Sequence, residues 1–323
     1  MAEFLTIGEA LVVLASEDID TSLDDAQHFS KFLAGAELNV AIGICRLEHT
    51  AAYLSQVGND PFGRFITQSA AEAGIETENL LINPEKLTGF YLKQKLSKGD
   101  PAVSYFRKNS AAASMTKADL ISVKFDDVKI AHLSGIFPAL SELSLKTFRE
   151  LNHQLKEHNV TTVFDPNLRP ALWKSQEIMA ETLNELARHS HIVLPGISEG
   201  KILTGSGNPE AIADFYLKQQ GGLTETVIVK LGAAGAYVKT ITGESLTIPG
   251  FKADNVIDTV GAGDGFAVGL ESALLEGKTL EVAIRRGCAV GALAVQSPGD
   301  NDGYPTREAL HHFYQKNRYQ ADI

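Results

Sequence analysis

Cysteine, methionine and tryptophan are scarce in this sequence, and no long apolar run interrupts it. The 323 residues include 2 Cys, 3 Met and 1 Trp. Cys45 and Cys288 lie far apart in apolar helical contexts, without the spacing of a metal or redox site, so we interpret both as buried structural thiols. No stretch approaches the roughly 18 apolar residues of a membrane-spanning helix, so no such helix is predicted.

Basic residues are also in deficit. Lys and Arg number 29 against 40 Asp and Glu, which gives a formal net charge of -11. Attraction to nucleic acids or anionic membranes requires a basic surface, so we expect neither as a partner. An anionic small molecule stays compatible, because a few arginines can reverse the field inside a cleft. Residues 1–8 lack the pattern of a secretion signal and predict a first β-strand, so we expect a cytoplasmic protein.

Two glycine motifs of nucleotide-binding proteins are missing. The pattern GxxxxGK[ST] does not occur, which excludes a P-loop. Gly261 and Gly263 do not continue as GxGxxG, because Phe266 stands where the third glycine would be. This pair also falls late in the chain rather than at a first βα turn, so a dehydrogenase is disfavoured.

What the sequence does contain is a regular alternation of short apolar segments and longer amphipathic ones. Such alternation is typical of βαβ units, with a mostly parallel sheet covered by helices on both faces. The predicted strands are Thr50–Val57, Ile130–Ser134, Val160–Asp165, His191–Pro195 and Thr226–Leu231. The predicted helices are Glu37–Arg46, Phe62–Ala73, Ser141–His158, Gln176–Ala187, Pro209–Gln220, Ala262–Leu275, Leu280–Val295 and Thr306–Gln315.

Residues 87–112 break this alternation. They carry two strand-like segments, Gly89–Leu96 and Ala102–Lys108, joined by the turn sequence SKGDP. With strand material near Leu11–Ala15, this hairpin predicts a small sheet that covers the active cleft and excludes water during group transfer. An edge hairpin with no role at a site fits the periodicity equally well.

Asp258–Asp264, with the sequence DTVGAGD, precedes the helical segment Gly265–Leu270. Small residues at a helix start leave backbone N–H groups free to point at one spot, and with the helix dipole they form an anion-binding concavity. A carboxylate is a poor ligand for phosphate, so the predicted task of Asp264 is to accept a proton from a hydroxyl group that attacks phosphorus. The motif therefore predicts phosphoryl transfer to an alcohol. A plain N-cap Asp after a glycine turn is the alternative.

A second glycine cluster lies near the N-terminus. Ala34–Ala36 precedes a helix that contains Asn39, and Gly58–Gly63 follows a strand. Small residues let a ligand approach the backbone, and Asn39 offers both a donor and an acceptor to hydroxyl groups. Ordinary glycine turns at the ends of a strand and a helix explain the same pattern equally well.

These motifs resemble the two signatures of the ribokinase-type (PfkB) carbohydrate kinases. Ala34–Ala41 (AGAELNVA) is similar to the N-terminal signature, and Asp258–Asp264 matches the C-terminal one, in the order and spacing of the family. The resemblance spans nearly the whole chain. It implies a Rossmann-like (ribokinase-like) α/β fold with a three-layer parallel sheet and a small β-sheet lid. The implied organisation is one domain over residues 1–323, with lid strands from about 9–33 and 87–112.

The same resemblance implies cosubstrates and catalytic residues. ATP is the implied phosphoryl donor and Mg²⁺ the implied divalent cation. Asp264 is the implied base, and the backbone amides of Gly261, Ala262 and Gly263 are implied to hold the transferring phosphoryl group. By analogy alone, a monovalent cation such as K⁺ would bind near Asp258, and the lids of two or more copies would pair into a homo-oligomer.

The residues implied to contact the nucleotide include one departure from the family pattern. Lys230–Gly235, with Gly232 inside it, matches the glycine turn that covers the nucleotide in the family. Many members carry Asn-x-x-Glu at a strand end, whereas this chain has Gly196 and Glu199. The acid is kept, so Glu199 is implied to act on Mg²⁺ through water, but the loss of Asn puts that role in doubt.

Arginines in the region of the predicted cleft suggest an acidic substrate. Tyr105 and Arg107 are two apart, so on a strand both face the same side, and Tyr91 lies in the partner segment of the hairpin. Arg169 comes just past a strand end, where open α/β sheets bind ligands. A guanidinium group pairs bidentately with a carboxylate, which a neutral sugar lacks. The alternatives are a solvated lid arginine for Arg107 and a salt bridge for Arg169.

Within the family, Tyr105–Ala113 and the loop around Asp300 are similar to 2-keto-3-deoxygluconate kinases. That resemblance implies a sugar-acid kinase that phosphorylates the terminal hydroxyl group. The residues implied to contact the sugar acid are Gly35, Asn39, Tyr91, Tyr105, Arg107, Arg169, Asp264 and Asp300. Asn167 and Arg169 are further implied to approach the phosphates of ATP.

Two other hypotheses remain open from the sequence. One is a kinase of fructose, ribose or a nucleoside that has the same core. The other is a sugar-binding regulator that kept the fold but lost the chemistry, although the retained Asp264 and its glycine turn speak against it.

Overall fold

A computed structural model describes residues 2–319 of the chain. Within that range lie thirteen β-strands and nine α-helices. The strands are β1 Phe4–Ile7, β2 Leu11–Ile19, β3 Phe29–Ala34, β4 Ala51–Gly58, β5 Leu80–Asn83, β6 Phe90–Lys95, β7 Val103–Phe106, β8 Ile130–Ser134, β9 Thr161–Asp165, β10 Ile192–Val193, β11 Thr226–Lys230, β12 Ala236–Thr240 and β13 Ser245–Ile248.

Helices follow the strands in alternation, and most begin at a residue that caps the first turn. Ser141, Ser175, Asn208 and Thr306, for example, each accept a hydrogen bond from a first-turn N–H group. The helices are α1 Ala36–Arg46, α2 Pro61–Glu72, α3 Glu142–Glu157, α4 Gln176–Ala187, α5 Ile197–Thr204, α6 Pro209–Leu217, α7 Ala262–Leu275, α8 Leu280–Ala294 and α9 Arg307–Lys316.

Nine strands form the main sheet, in the order β13-β12-β11-β10-β9-β8-β1-β4-β5. From β11 to β5 every pairing is parallel, and the two pairings at the other edge, β11 with β12 and β12 with β13, are antiparallel. The chain leaves β1 toward β4 on one side and later returns through β8 on the other. This reversal is a topological switch point, the place where open α/β sheets bind ligands beyond the carboxyl ends of their strands.

Two apolar cores cover the two faces of the main sheet. Phe4 of β1 belongs to the core beneath α1, α2, α7, α8 and α9, whereas Leu5 and Ile7 belong to the core beneath α3, α4, α5 and α6. Strands buried on both faces lack a polar side, as expected when helices cover both faces of a parallel sheet. The result is the three-layer arrangement that the sequence predicts. No helix within residues 2–319 has the length and apolar character that crossing a membrane requires.

A second sheet, the lid sheet, has the order β3-β2-β6-β7. The hairpin of β6 and β7 is antiparallel, as predicted, and β2 joins it in parallel from Val12–Phe90 to Ala15–Lys93. Phe90 on one face of this sheet packs against Phe62 of α2. Tyr91 and Tyr105 form a cross-strand pair on the opposite face.

The predicted elements of the body agree with the structure within a few residues. β8, α4 and α7 have the predicted bounds. The strand predicted at His191–Pro195 is reduced to Ile192–Val193. β5, α5, β12 and β13 had no predicted counterpart, because these short elements give too few periodic positions to stand out.

Candidate active site

The carboxyl ends of the parallel strands meet at one edge of the main sheet, and the predicted polar residues collect there. Asp165 ends β9 and Lys230 ends β11. Asp264 lies in the first turn of α7, which faces the same edge. Segments that are well separated in the sequence thus supply a single cluster of charged groups.

Asp264 is almost fully buried, with 9% of its surface exposed. Its Oδ2 accepts a hydrogen bond of 3.1 Å from Asn39 Nδ2, and Asn167 Nδ2 lies 3.4 Å from Oδ1. Burial raises the pKa of Asp264 to about 7, although the hydrogen bond from Asn39 opposes this rise. A carboxyl group held at that pKa can accept a proton near neutral pH.

The helix that carries Asp264 starts at a glycine in a left-handed conformation. Gly261 has a φ of 78°, and a Cβ atom there would lie 1.8 Å from the carbonyl oxygen of Asp300. Its own carbonyl accepts a hydrogen bond of 2.8 Å from the Tyr304 hydroxyl. Ala262 and Gly263 then open α7, where first-turn N–H groups have no partner inside the helix. A helix start of this kind can bind an anion, and the anion site itself stays a prediction.

Lys230 lies beside that helix start. Its Nζ donates to Asp165 Oδ2 at 2.5 Å, and a Cβ atom on Gly263 would be 3.7 Å from the same nitrogen. Burial opposes the charged ammonium group, but the nearby carboxylates, led by Asp165 and Glu199, raise the pKa of Lys230. A permanent cation therefore stands next to the first turn of α7, where a phosphate group would need one.

The turn after β11, which resembles the nucleotide-covering turn of the family in sequence, contains two glycines with positive φ. Gly232 and Gly235 have φ values of 60° and 100°. Open space surrounds Gly232, whereas a Cβ atom on Gly235 would lie 2.0 Å from the carbonyl oxygen of Ile248. The first glycine leaves room for a ligand, and the second lets the turn pack against the end of β13.

Glu199 occupies the start of α5 and is held by two backbone groups. Oε2 accepts from Gly196 N at 2.7 Å, and Oε1 accepts from Leu168 N at 2.9 Å. With Gly196 at the family's Asn position no amide side chain is present here, but the Gly196 N–H group orients the Glu199 carboxylate. Each carboxylate oxygen keeps a free lone pair for water.

Asn167 and Arg169 follow β9 on an exposed turn. Asn167 has a φ of 39°, and its Oδ1 accepts from Arg169 Nη1 at 2.7 Å. The same nitrogen also donates to the carbonyl of Leu168 at 3.0 Å. The salt bridge considered for Arg169 is thus replaced by hydrogen bonds to its own turn, which hold the guanidinium group near Asp264.

Gly35 and Asn39 are brought to the same place by α1. Gly35 caps this helix with a φ of 136°, and Asn39, which is 2% exposed, lies one turn further on. Asn39 Oδ1 accepts from Asn301 Nδ2 at 2.8 Å, while its amide nitrogen donates to Asp264. Asn301 of that loop therefore holds Asn39, and the predicted Asp300 beside it also hydrogen-bonds to the Asn39 side chain.

The lid sheet contributes the aromatic residues and one arginine. The rings of Tyr91 and Tyr105 are 5.0 Å apart, and the Arg107 guanidinium carbon lies 5.7 Å from the Tyr105 ring centre. Tyr91 is nearly buried, while Tyr105 is half exposed. Arg107 lies one residue beyond β7 and forms an ion pair with the buried Glu9, so it is not the solvated arginine considered as an alternative.

Sequence reasoning missed several charged residues of this region. Glu9 follows β1 at the carboxyl edge of the sheet, and that position was the available signal. Lys93 of β6 reaches from the lid sheet to the signature, with 3.6 Å between its Nζ and Asp258 Oδ2. Burial raises the pKa of Asp300, and Lys93 opposes this rise.

A fully buried pair of charged groups also lies behind Asp264. His132 Nδ1 of β8 is 2.8 Å from Glu271 Oε1 of α7, and neither side chain is more than 2% exposed. Burial disfavours the imidazolium ion, but Glu271 outweighs it and raises the pKa of His132. No motif contains these two residues, which are 139 positions apart, so sequence patterns do not indicate them.

Taken together, a three-layer α/β body, a lid sheet and a buried carboxylate at a glycine-capped helix start define a phosphotransferase that acts on small hydroxyl compounds. The sequence model of the pfkB family carbohydrate kinases matches residues 1–307. The chain belongs to this family and is a sugar kinase.

Individual relatives agree with this assignment over nearly the whole chain. The chain is 44% identical to the 2-dehydro-3-deoxygluconokinase of Bacillus subtilis (strain 168), over 97% of this chain and 96% of that protein. The crystal structure of a PfkB protein from Polaromonas sp. JS666 has a TM-score of 0.87 and 40% identity, with 96% and 99% of the two chains covered. A fructokinase double mutant from Vibrio cholerae O395, in its fructose-, ADP- and potassium-bound form, has a TM-score of 0.82 and 28% identity, with 97% and 98% covered.

Proposed function

We propose that this sugar kinase transfers the γ-phosphoryl group of ATP to the terminal hydroxyl group of a sugar acid, 2-keto-3-deoxygluconate, to give its 6-phosphate. The observation that carries the chemistry is the buried Asp264 carboxyl group at the glycine-capped start of α7. The choice of substrate is supported by the 44% identity to a 2-dehydro-3-deoxygluconokinase over almost the full chain.

In the proposed reaction, Asp264 accepts the proton of the attacking hydroxyl group. The hydroxyl oxygen forms a bond to the γ-phosphorus while the bond to the β,γ-bridging oxygen breaks, and ADP leaves. The N–H groups of Gly261, Ala262 and Gly263 bind the equatorial oxygens of the transferring group at the helix start. Lys230, close to Gly263, adds a positive charge on the same side.

Several residues fit the role of holding ATP and its metal ion. Asn167, Lys230, Gly232 and Gly235 line the turns beside the helix start, and open space at Gly232 leaves room for a nucleotide. Glu199 is proposed to hold Mg²⁺ through water, since the ion is commonly bound by one or two carboxylates and by phosphates. When bound, Mg²⁺ neutralises charge on the phosphate oxygens.

A K⁺ site near Asp258 is a further part of the proposal. It is supported by the potassium ion bound in the Vibrio cholerae fructokinase structure, a protein with 28% identity to this chain.

The proposed sugar-acid site lies between the lid sheet and the main sheet. Asn39 donates to Asp264, Gly35 caps the helix that carries Asn39, and the Asp300 carbonyl lies against Gly261. Tyr91, Tyr105 and Arg107 are proposed to complete the site from the lid. Arg107 and Arg169 are proposed to bind the carboxylate, because a guanidinium fork matches its two oxygens.

A kinase of a neutral sugar is the second candidate. The observation in its favour is the likeness of the fold to the Vibrio cholerae fructokinase in its fructose-bound form, with a TM-score of 0.82 and 28% identity. ADP release in a coupled assay, with a panel of sugar acids, fructose and ribose, separates the two candidates. If kcat/KM is higher for fructose or ribose than for the sugar acids, the protein is a neutral-sugar kinase.

We also propose that the lid sheet pairs with the lid sheet of a second copy. Phe32, on the edge strand β3, is about half exposed and is not among the residues proposed to bind the substrate. Exposed aromatic residues on one sheet face are typical of an interaction surface.

Substitution of Asp264 by Asn tests the assigned base. We expect Asp264→Asn to lose about 10²–10⁴-fold in kcat, the usual contribution of a general base, while the Kd values for ATP and sugar acid change little. Asp254→Asn, an exposed carboxylate paired with Lys316, is the matched control and should keep full turnover. If Asp264→Asn keeps more than a tenth of the wild-type kcat, Asp264 is not the general base.

The pH dependence of kcat/KM gives a second readout of the same residue. With the pKa of Asp264 raised to about 7 by burial, the base is charged and active above that pH. Activity should fall tenfold per pH unit below it. The terminal phosphate of ATP titrates in the same pH range, so the profile of Asn39→Ala is compared with that of wild type. Loss of the Asn39 hydrogen bond should raise the pKa of Asp264 and shift the low-pH fall in activity to higher pH. If the fall in activity occurs at the same pH in both proteins, it reports the titration of ATP rather than of Asp264.

A further inference from the structure

Glu9 lies at the junction of the two sheets. Residues 8–10 are the whole connection between β1 of the main sheet and β2 of the lid sheet. Glu9 is 2% exposed, although Glu is seldom fully buried without a partner. A charged residue in such a place needs a physical reason, because an unpaired buried carboxylate costs several kcal/mol.

The side chain of Glu9 connects to two residues that follow β7. Oε2 accepts a hydrogen bond of 2.6 Å from Arg107 Nε, and Arg107 Nη2 contacts the same oxygen. Oε1 accepts a hydrogen bond from the buried hydroxyl group of Ser110. Both carboxylate oxygens are therefore used, and they fix the end of the lid hairpin to the start of the lid.

Two glycines make room for this arrangement. A Cβ atom on Gly89, just before β6, would lie 2.8 Å from Glu9 Oε1 and 3.3 Å from Arg107 Cβ. A Cβ atom on Gly35 would lie 2.8 Å from the carbonyl oxygen of Glu9. Glu9 thus contacts the lid arginine through its side chain and packs against the N-terminal glycine turn through its backbone.

The contacts leave part of the Arg107 guanidinium group unused. The group has five N–H donors, and within residues 2–319 the partner of Nε and Nη2 is Glu9, while Nη1 has no hydrogen-bond acceptor. The Nε and Nη2 edge of the guanidinium group is therefore held by Glu9, and the Tyr105 ring lies next to the group. An arginine fixed in this way loses little rotamer freedom when it binds an anion.

We propose that Glu9 is a positioning residue that aims the Arg107 guanidinium group at the carboxylate of the sugar acid and so sets the preference for acidic over neutral substrates. This inference rests on the proposed function. A positioning group of this kind raises affinity for the charged end of the substrate and leaves the reacting hydroxyl group unaffected. Its effect should therefore appear in KM rather than in kcat.

The test compares KM for the sugar acid with the Kd of a neutral analogue that carries CH₂OH in place of the carboxylate. For Glu9→Gln we expect about a tenfold higher KM for the sugar acid, in the range of losses caused by removal of outer-shell partners. Its kcat should stay within twofold of wild type, and the neutral analogue should bind as before. Ser110→Ala, which removes the other contact of Glu9, is the matched control and should change KM less than threefold.

A double variant decides whether Glu9 acts through Arg107. If it does, Glu9→Gln combined with Arg107→Ala should have the KM of Arg107→Ala alone, because the two effects are not additive. Additive effects, or equal losses for the sugar acid and the neutral analogue, would assign Glu9 a merely structural role and overturn the proposal. An unchanged KM for Glu9→Gln would overturn it as well.

Two further measurements cover a Glu9→Gln variant that does not fold and a failure of the proposed function itself. Should Glu9→Gln not fold, as judged by its thermal melt, Arg107→Lys keeps the cation but lacks the fork, and it should raise KM for the sugar acid alone. An unchanged KM there contradicts the proposal. If wild-type protein turns over fructose and not the sugar acid, the proposed function itself fails, and the role of Glu9 in acid recognition falls with it.

Discussion

At the scale of single residues, Gly261 shows how backbone geometry and chemistry constrain each other. Its left-handed φ of 78° starts the helix that carries Asp264, and the Asp300 carbonyl fills the place of a side chain. Tyr304 fixes the Gly261 carbonyl from the other side. The position of the proposed base therefore depends on a residue that has no side chain of its own.

Substitution of Gly261 by Ala tests this dependence. The Cβ atom would push the turn away from Asp300, and a displacement of about 1 Å near reacting groups costs roughly 10²-fold in rate, so we expect kcat to fall by about that factor. Gly243→Ala is the matched control, since Gly243 has a φ of 91° but open space around it. It should cost about 1 kcal/mol in the free energy of unfolding and leave kcat unchanged. Equal kcat losses in both variants would contradict the argument.

Sequence reasoning found the residues of the two signatures but not their charged partners. Asp264 and Asn39 lie 225 positions apart and are hydrogen-bonded, which agrees with their assignment to one site. The partner of Arg107 could not be found in the same way. Glu9 lies 98 positions away and outside both signatures, and only the folded chain shows that it occupies the space next to Arg107.

At the scale of elements, α7 is held at both ends. Its first turn carries Asp264, and Glu276 at its C-cap accepts two hydrogen bonds from the buried Arg286, of 2.7 and 2.8 Å. Arg307 of α9 adds a third contact of 2.9 Å to Glu276. Although burial opposes the charged form, these arginines lower the pKa of Glu276 to about 2.

Replacement of Glu276 by Gln should weaken this end of α7. Loss of the charge leaves Arg286 buried without a counter-ion, so we expect the free energy of unfolding at pH 7 to fall by about 3 kcal/mol. Because the folded-state pKa lies below the ordinary value of 4.5, the stabilisation is complete above pH 4.5. It should disappear as the pH falls toward 2.

Urea denaturation of wild type and variant across that pH range measures the difference. Glu185→Gln, which breaks an exposed pair with Arg149, is the control and should cost less than about 1 kcal/mol. A wild-type advantage that persists unchanged at pH 2 would contradict the role given to Glu276.

The elements that sequence patterns predict are those with enough periodic positions. α4 and α7, of twelve and fourteen residues, were predicted with their observed bounds. β10 has two residues and extends less far than predicted. Strand material near Leu11–Ala15 was predicted to share a sheet with the lid hairpin, but the register of β2 on β6 is not predictable from local pattern. The paired residues lie about 78 positions apart and no turn fixes their register.

At the scale of the whole molecule, one face of the lid sheet is buried at its centre but exposed at its two edge strands, β3 and β7. Phe32 is 51% and Tyr105 54% exposed, in the row that also contains Tyr91. If a second copy covers this face, as proposed, wild-type protein should be a dimer at micromolar concentration. Phe32→Asp should then be monomeric, because a buried unpaired carboxylate disfavours association.

Size-exclusion chromatography with light scattering measures the masses. Ile121→Asp is the control, since Ile121 is 84% exposed and lies outside the lid sheet, and its mass should equal that of wild type. A monomeric mass for wild-type protein at these concentrations would contradict the proposed dimer.

The connection of the lid through residues 8–10 and residues 84–89 has a consequence for how substrate preference can change in evolution. Glu9 enters with the first lid segment and Arg107 with the second, and β2 and β6 join these segments in one register from Val12–Phe90 to Ala15–Lys93. An exchange of only one segment with a relative of different specificity would leave one member of this ion pair buried without its partner. We therefore infer that the two segments are inherited as a unit, and that chimeras must transplant both.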